Sequence, residues 1–315
     1  MLAASLFVVV FSAGAQSWPS KPLHMIVPFP AGGGSDVVGR VIAQKLTERL
    51  GQQVVVDNRG GAGGSMGTEM AVRAVPDGYT MVLASTSEIA INPSLYSKLS
   101  YSTVKDLVPV ALVATTPMVV IVNPSLTVNS IQDLVTLARN KPGEINVASA
   151  GSGTISHLSS ELFRSMVGLN WTHVPYRGTG PALSDLAGGQ VQIMFSPPPP
   201  ALNLVKGNLA KVIAVSGRTR TPTLPNVPTV MEALNINYAV DNWYGIFVPV
   251  GTPSEIVSRL AGEIAQSVGS PEVVSTLAVQ GAAPGTMSTE EFREYVKSEV
   301  GKWGAVVKAT GAKMD

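Results

Sequence analysis

The fold of this chain is decided by the stretch Val27-Pro28-Phe29-Pro30-Ala31-Gly32-Gly33-Gly34-Ser35-Asp36, which follows the apolar run Leu23–Val27. An apolar run, a glycine-rich turn and a helical pattern predict a strand, a loop and a helix. We expect Ser35 to cap that helix, whose apolar residues recur at helical spacing over 37–46. The consecutive glycines leave backbone N–H groups open to a small anion, which the positive end of the helix dipole attracts. The stretch therefore predicts a carboxylate-binding loop.

The next segment continues the alternation of strands and helices. Residues 53–56 and 80–84 are apolar runs that predict buried strands, and residues 68–74 predict a helix between them. This βαβαβ order predicts a parallel sheet, with ligands bound at the carboxyl ends of its strands. The glycine loop lies at that edge, and so does the triplet Ser85-Thr86-Ser87.

A second α/β series begins after residue 122 and repeats the opening arrangement. Residues 130–140 predict a helix and residues 145–148 a strand, which leads into Ser149-Ala150-Gly151-Ser152-Gly153-Thr154-Ile155-Ser156-His157. Thr154 and Ser156 can cap the helix that follows or donate a hydrogen bond outward. Two such loops facing each other would clamp a carboxylate.

Two apolar stretches are long enough to connect the two series. Residues 108–122 are apolar apart from a break at Thr115-Thr116-Pro117, and residues 242–248 predict the return strand. Residues 253–268, 271–277 and 288–308 predict three closing helices, the last with a capping box formed by Ser288 and Glu291. Pro197-Pro198-Pro199-Pro200 predicts a stiff polyproline connector.

Composition excludes several classes of protein. The 315 residues are 45% hydrophobic and 14% charged, with a net charge of +1, which indicates a well-folded chain without a basic face for nucleic acid. The chain has no cysteine, so disulfides, thiol nucleophiles and cysteine metal sites are excluded. Its 3 histidines show no paired metal-ligand spacing, so we expect no metal site.

The first 15 residues resemble an export signal. They are apolar and end in Ala13-Gly14-Ala15, which predicts cleavage before Gln16, although a basic n-region is missing. No later run is long and apolar enough to cross a bilayer, so we expect a mature protein outside the cytoplasm, in the periplasm.

Several motifs occur in the order found in one known family. They are Pro28 to Asp36, Asn58-Arg59, Pro76-Asp77-Gly78-Tyr79-Thr80, Ile91-Asn92-Pro93, Ser156-His157-Leu158, Val174-Pro175-Tyr176-Arg177-Gly178, Leu224-Pro225-Asn226-Val227-Pro228-Thr229 and Trp243-Tyr244-Gly245. On these motifs the chain resembles the Bug-type solute-binding proteins, the extracytoplasmic receptors of tripartite tricarboxylate transporters. The resemblance covers nearly everything after the leader.

The resemblance implies a type II periplasmic-binding-protein fold, with two α/β lobes joined by two crossover strands and a ligand cleft between them. We expect lobe 1 at residues 16–116 and 240–315 and lobe 2 at 117–239. It also implies no cofactor and no catalysis. We expect a monomer that captures a di- or tricarboxylate, with an aromatic one as an option, and delivers it to the membrane subunits of the transporter.

The expected ligand-binding residues come from the two glycine loops and the strand ends beside them. They are Phe29, Ala31, Gly32, Gly33, Gly34, Ser35, Asp36, Ser85, Thr86, Ser87, Ala150, Gly151, Gly153, Thr154, Ser156, Arg177 and Ser196. Ser196 stands where the family commonly has an acidic or amide residue, which leaves the ligand's identity open. Asp36 would repel an anion, which favours a role in stabilising the first helical turn unless the ligand carries an amine. Arg177 could meet a second carboxylate or lie in solvent.

Two enzyme classes are weighed against a receptor. Gly63-Gly64-Ser65-Met66-Gly67 matches the G-x-S-x-G string of serine hydrolases, with Ser65 as nucleophile, but no histidine lies near the end of the chain. A nucleotide-binding enzyme is indicated by Asp57 after a strand, yet Val37 stands where the dinucleotide motif needs glycine or alanine.

Overall fold

The computed structural model describes residues 18–279 and 281–313, so the predicted leader at 1–15 lies outside the described residues. The strands are β1 (Leu23–Val27), β2 (Val54–Asn58), β3 (Thr80–Ser85), β4 (Leu107–Pro117), β5 (Val119–Val122), β6 (Asn146–Ser149), β7 (Thr172–Pro175), β8 (Ile193–Ser196), β9 (Lys211–Val215), β10 (Asp241–Pro249) and β11 (Ala283–Pro284).

The helices fill the connections between the strands. They are α1 (Gly34–Leu50), α2 (Ser65–Val72), α3 (Asn92–Leu95), α4 (Ile131–Asn140), α5 (Ile155–Val167), α6 (Thr179–Ala187), α7 (Pro198–Lys206), α8 (Val230–Leu234), α9 (Ser254–Val268), α10 (Pro271–Val279) and α11 (Thr289–Thr310). A 3₁₀ turn at Ala62–Gly64 precedes α2, and a π-helical turn at Ser87–Ile91 precedes α3.

The strands form two sheets, which confirms the predicted architecture of two α/β lobes. The first has the order β11-β4-β10-β3-β1-β2, and the second has the order β7-β6-β8-β5-β9. Strands β2, β1 and β3 are parallel, as the βαβαβ order predicts, and β10 runs antiparallel to both β3 and β4. In the second sheet β7, β6 and β8 are parallel.

Two neighbouring connections join the sheets. The chain leaves the first sheet at Pro117 and enters the second at Val119, and it returns at Asp241, which pairs with Pro117 in the ladder. Ser216 ties the two connections together, because its Oγ accepts a hydrogen bond of 2.7 Å from the N–H of Met118 and also donates to the carbonyl of Val240. The crossover predicted at 108–122 is thus confirmed, and residues 242–248 form the predicted return strand, which lies wholly in the first sheet, while the exact lobe boundaries stay a prediction.

The four consecutive prolines correct the sequence interpretation. They do not form a polyproline connector, since Pro197 is the N-cap of α7 and Pro198, Pro199 and Pro200 form its first turn. The first N–H groups of a helix have no acceptor within the helix, so a proline at these positions removes no helical hydrogen bond. The restricted φ of proline also matches the φ of a helix.

Candidate functional site

The opening glycine loop places the N-terminus of α1 at the cleft between the lobes. The N-cap is Gly33 rather than the predicted Ser35, and no side chain caps this helix end. Gly34 and Ser35 therefore occupy the first turn, where backbone N–H groups have no acceptor within the helix. These groups and the helix dipole make this end of α1 suited to an anion.

Asp36 holds the glycine loop from within. Its Oδ2 accepts hydrogen bonds from the N–H of Gly32 at 2.9 Å and from Arg40 Nε at 3.1 Å. Burial raises the pKa of Asp36, but the hydrogen bonds from Arg40, Gly32 and Asn58 together lower it by more than burial raises it. The pKa of Asp36 therefore lies below its usual value. The carboxylate forms an ion pair with Arg40 and holds the loop in its conformation.

The loop of the second lobe is held by its own side chains. Thr154 is the N-cap of α5, since its Oγ1 accepts from the N–H of His157 and donates to the carbonyl of Gly151 at 2.7 Å. The hydroxyl of Ser156 donates to the carbonyl of Phe195. The predicted cap role of Thr154 is therefore confirmed, and the hydroxyl protons of both residues are used inside the lobe.

Two stacked histidines lie beneath this second loop. The rings of His157 and His173 are 3.9 Å apart between centroids, and His157 Nδ1 accepts a hydrogen bond from the N–H of Gly153. Burial, together with the neighbouring His173 and Arg164, lowers the pKa of His157 to about 3, and burial also lowers the pKa of His173. Both rings are neutral at physiological pH and support the loop as packing groups.

The end of β3 brings a third set of polar groups to the cleft. Ser85 and Ser87 are nearly inaccessible to solvent, yet both line the space between the lobes. The hydroxyl of Ser87 accepts a hydrogen bond of 2.9 Å from the N–H of Ile155, the first residue of α5. Thr86 between them points elsewhere, because its Oγ1 accepts from the N–H of Trp243.

These elements enclose a space that we call the inner compartment, with an empty volume of about 420 Å³, part of it open to solvent. Its lining contains no charged residue. It is formed by Phe29, Pro30, Gly33, Gly34, Ser35, Ser85, Ser87, Ala150, Ile155, Ser156, Thr179, Pro197, Asn242 and Tyr244.

Two buried polar atoms at the inner compartment have no partner among the described residues. They are the hydroxyl of Tyr244 and Oδ1 of Asn242, both on β10. Burial raises the pKa of Tyr244, so its hydroxyl keeps its proton and can donate. A buried polar group without a partner is unfavourable, so these atoms indicate that a ligand or water completes the site.

Gly34 makes room for the tyrosine. A Cβ atom at this position would lie 2.7 Å from Tyr244 Oη and 3.0 Å from Pro197 Cβ. Only glycine allows the first turn of α1 and the tyrosine hydroxyl to approach this closely.

A larger outer compartment adjoins the inner one. Phe29, Pro30 and Ala150 line both spaces, and the outer compartment has an empty volume of about 1390 Å³, part of it open to solvent. Arg177 is the charged residue of its lining, which also includes Ala31, Gly151 and the glycines that precede α2.

The structure brings together about two thirds of the predicted site residues. Those in the inner compartment are Phe29, Gly33, Gly34, Ser35, Ser85, Ser87, Ala150 and Ser156, and those confined to the outer compartment are Ala31, Gly151 and Arg177. The remaining six line neither compartment: Gly32, Asp36, Thr86, Gly153, Thr154 and Ser196.

Local hydrogen bonding and packing explain these six positions. Gly32, Asp36, Thr86 and Thr154 take part in the loop, capping and strand contacts described above. Ser196 is fully buried and its hydroxyl donates to the carbonyl of Pro197 at 3.0 Å. Gly153 packs against the first lobe, where an added Cβ would lie 2.4 Å from Leu95 Cδ2.

The predicted site residues did not include Thr179, Pro197, Asn242 or Tyr244. Thr179 begins α6 after the loop at Gly178, and Asn242 and Tyr244 alternate with Trp243 on β10. The period-two alternation of a strand could have placed Asn242 and Tyr244 on one face together.

The hydrolase interpretation of Ser65 is not supported by its surroundings. Ser65 begins α2, and its Oγ accepts a hydrogen bond of 2.8 Å from Asn92 Nδ2 instead of contacting a histidine. Among residues 18–279 and 281–313, no group of three or more acidic or histidine side chains could hold a metal ion. Within the same ranges, the structure contains no helix that combines the length and the apolar character of a membrane span.

Comparison with known proteins places this architecture in a family. The profile described as the tripartite tricarboxylate transporter family receptor matches residues 38–312. The solved structure of Rpa4515 from R. palustris with adipate is 34% identical, with a TM-score of 0.92, and the match covers 94% of this chain and 100% of that one.

Two further solved structures agree. The periplasmic binding protein BugD is 33% identical, with a TM-score of 0.90, over 95% of this chain and 100% of its own. MatC from Rhodopseudomonas palustris with bound malate is 30% identical, with a TM-score of 0.87, over 92% of this chain and 100% of its own.

Proposed function

Because this chain belongs to the tripartite tricarboxylate transporter receptor family, we propose that it captures a small dicarboxylate between its two lobes and delivers it to a transporter. Family membership confirms the Bug-type resemblance. It also identifies a binding receptor rather than an enzyme, in agreement with the expectation of no catalysis.

The observation that carries the proposal is the set of uncharged polar groups facing the inner compartment. The hydroxyl of Tyr244, the first turn of α1 and the hydroxyls of Ser35 and Thr179 supply donors without an arginine or lysine. Each hydrogen bond to a charged group contributes about 1.5–3 kcal/mol, and micromolar affinity needs about 8 kcal/mol. Four or five donors are therefore sufficient to hold one carboxylate.

A second carboxylate would extend into the outer compartment. The two compartments share Phe29, Pro30 and Ala150, so a chain of a few carbon atoms can pass between them. Arg177 then faces the distal end of the ligand. Relatives bound to adipate and malate support a ligand with two carboxylates.

The partner and location follow from the same reasoning. We infer that a monomer, exported to the periplasm after removal of residues 1–15, closes over its ligand and docks on the membrane subunits of a tripartite tricarboxylate transporter. The periplasmic relative BugD and the apolar leader support this location. A hinge at the paired crossovers, Pro117 and Asp241, would allow the lobes to open.

A titration calorimetry panel tests the proposal. Succinate, malate, adipate, phthalate, citrate and the monocarboxylate hexanoate are titrated into the purified mature chain. We expect micromolar binding of at least one dicarboxylate and binding at least tenfold weaker for hexanoate. No heat and no thermal stabilisation with any member at millimolar concentration would contradict the proposal.

A further inference from the structure

A buried carboxyl group lies directly behind the inner compartment. Glu88, in the π-helical turn after β3, has no solvent-accessible surface. Its Oε1 accepts a hydrogen bond of 2.8 Å from the N–H of Ser85, and its Oε2 is 2.7 Å from Ser85 Oγ. Ser85 lines the inner compartment and its hydroxyl is hydrogen-bonded to Glu88, so Ser85 connects Glu88 to the space for the ligand.

No cation among the described residues compensates Glu88, so burial raises its pKa to about 7. The hydroxyl of Tyr101 donates to the backbone carbonyl of Glu88 at 3.1 Å. Burial raises the pKa of both Tyr101 and Tyr244, so each is neutral near pH 7. The titratable groups near this turn include Tyr101, Tyr244 and Asp241 and, on helix α11, Tyr295, Glu299 and Lys302.

The charges on the neighbouring helix α11 are directed elsewhere. Glu299 accepts hydrogen bonds from the indole N–H groups of Trp243 and Trp303 and pairs with Lys302 at 3.0 Å. Burial raises the pKa of Tyr295 on the same helix, so this group is also neutral. Asp241, whose pKa is raised by burial, is at the start of β10, three residues from Tyr244.

The protonation state of Glu88 decides what Ser85 presents to the ligand. A hydroxyl has one proton and two lone pairs, and a carboxylate can only accept. When Glu88 is ionised, the proton of Ser85 Oγ points back to Glu88 Oε2 and the lone pairs face the cleft. When Glu88 Oε2 is protonated, it donates to Ser85 Oγ, and the hydroxyl proton of Ser85 is free to donate into the cleft.

We propose that Glu88 is a positioning residue that couples the capture of a carboxylate to the uptake of one proton from solvent, by turning Ser85 from acceptor to donor. The inference rests on the proposed carboxylate site. No covalent bond to carbon changes: the proton moves from water or buffer to Glu88 Oε2 as the ligand binds, and it returns on release. The dissociation constant then rises about tenfold per pH unit above pH 7 and is flat below.

The test is titration calorimetry of the purified chain with adipate and with malate between pH 6 and 9. At each pH the binding heat is compared in two buffers with different ionisation enthalpies, which counts the protons taken up. We expect uptake close to one proton per ligand at pH 8.5 and little at pH 6. The carboxylates of both ligands are largely ionised over this range, and burial lowers the pKa of both His157 and His173, which disfavours their protonated forms.

Two variants isolate the group responsible. In Glu88→Gln the amide oxygen accepts from the N–H of Ser85 and the amide NH₂ donates to Ser85 Oγ, which reproduces the protonated arrangement at every pH. We expect this variant to bind equally from pH 6 to 9 without proton uptake. Glu161→Gln, at a buried carboxylate of the second lobe that pairs with Arg164, should keep the wild-type pH dependence.

The outcomes separate this inference from the proposed function. Binding by the unmodified chain with equal affinity at pH 6 and 9 and no proton uptake would overturn the role of Glu88 and leave the carboxylate receptor intact. Wild-type pH dependence in Glu88→Gln would do the same. Absence of binding by any carboxylate at any pH would overturn the proposed function itself. The two-buffer comparison needs only the unmodified chain, so it decides even if a variant fails to fold.

Discussion

The hydroxyl of Ser87 accepts a hydrogen bond of 2.9 Å from the N–H of Ile155, and this bond joins the two lobes across the cleft. The N–H belongs to the first turn of α5, where the helix supplies no acceptor. Pro30 also meets the second lobe, since a Cβ at Gly178 would lie 3.1 Å from Pro30 Cγ. The structure therefore has its lobes in contact around the inner compartment.

Replacing Ser87 with alanine should weaken ligand binding by about three- to tenfold. The change removes one hydrogen bond between the lobes, worth about 0.5–1.5 kcal/mol. Calorimetry with the best dicarboxylate measures the loss. Ser160→Ala removes a hydroxyl that donates to the carbonyl of His157 within α5, so its affinity should stay at the wild-type value. Equal affinities for both variants would argue against a role of Ser87 in closure.

Tyr244→Phe should lower affinity by about tenfold or more and leave the ligand-free stability nearly unchanged. The hydroxyl has no partner among the described residues, so its removal breaks no hydrogen bond within the protein. Only the bound ligand loses a hydrogen bond that the hydroxyl would donate. Tyr238→Phe is the matched control, because that hydroxyl donates to the carbonyl of Ser159 at 3.0 Å inside the second lobe. Tyr238→Phe should reduce the stability of the ligand-free protein and leave the affinity unchanged. Unchanged affinity in Tyr244→Phe with reduced affinity in Tyr238→Phe would show that the ligand does not bind at Tyr244.

Gly34→Ala should abolish measurable binding at micromolar ligand. Its Cβ would lie 2.7 Å from Tyr244 Oη, so the hydroxyl or the first turn of α1 must shift. Gly262→Ala in α9 adds the same methyl group where nothing lies within 4 Å, and it should bind normally. Circular dichroism checks that both variants fold, and normal binding by a folded Gly34→Ala would exclude the inner compartment as the carboxylate site.

Arg177→Gln should discriminate between dicarboxylates and monocarboxylates. Loss of the cation in the outer compartment removes a charge-assisted contact with the distal carboxylate, so adipate should bind about tenfold more weakly while hexanoate is unaffected. Arg139→Gln on α4, whose side chain donates to the carbonyl of Val167, serves as the control. A similar loss for both ligands would show that Arg177 acts on the loop rather than on the distal group.

Glu88 should make the ligand-free protein less stable as the pH rises. Burial raises its pKa from 4.5 to about 7 in the folded chain, so folding takes up a proton between these two pH values. The unfolded chain then binds fewer protons, and its free energy of unfolding falls through this window, by about 3 kcal/mol in total. Urea unfolding at pH 5 and pH 8 should show this fall, and Glu88→Gln should remove it. An equal fall in the variant would assign the effect to other groups.

The sequence alone determined the α/β architecture and one side of the cleft. A strand or helix that buries one face has apolar residues at every second position or with a period of 3.6. These hydrophobic patterns therefore predict strands and helices. Those patterns place the glycine loop, Ser85 and Ser87 at the carboxyl ends of parallel strands, and the structure puts all of them at the inner compartment. The same local logic misassigned the prolines, since four residues without N–H groups fit a connector or a first helical turn equally well.

Only the tertiary structure decided which polar groups reach the ligand space. Asn242 and Tyr244 are far along the chain from the glycine loops, and β10 carries them into the first sheet beside β3. Thr154 and Ser156 look like donors in the sequence, yet their hydroxyl protons are used by Gly151 and Phe195. A side chain's free hydrogen-bonding capacity depends on every neighbour that folding brings to it, and residue order does not contain that information.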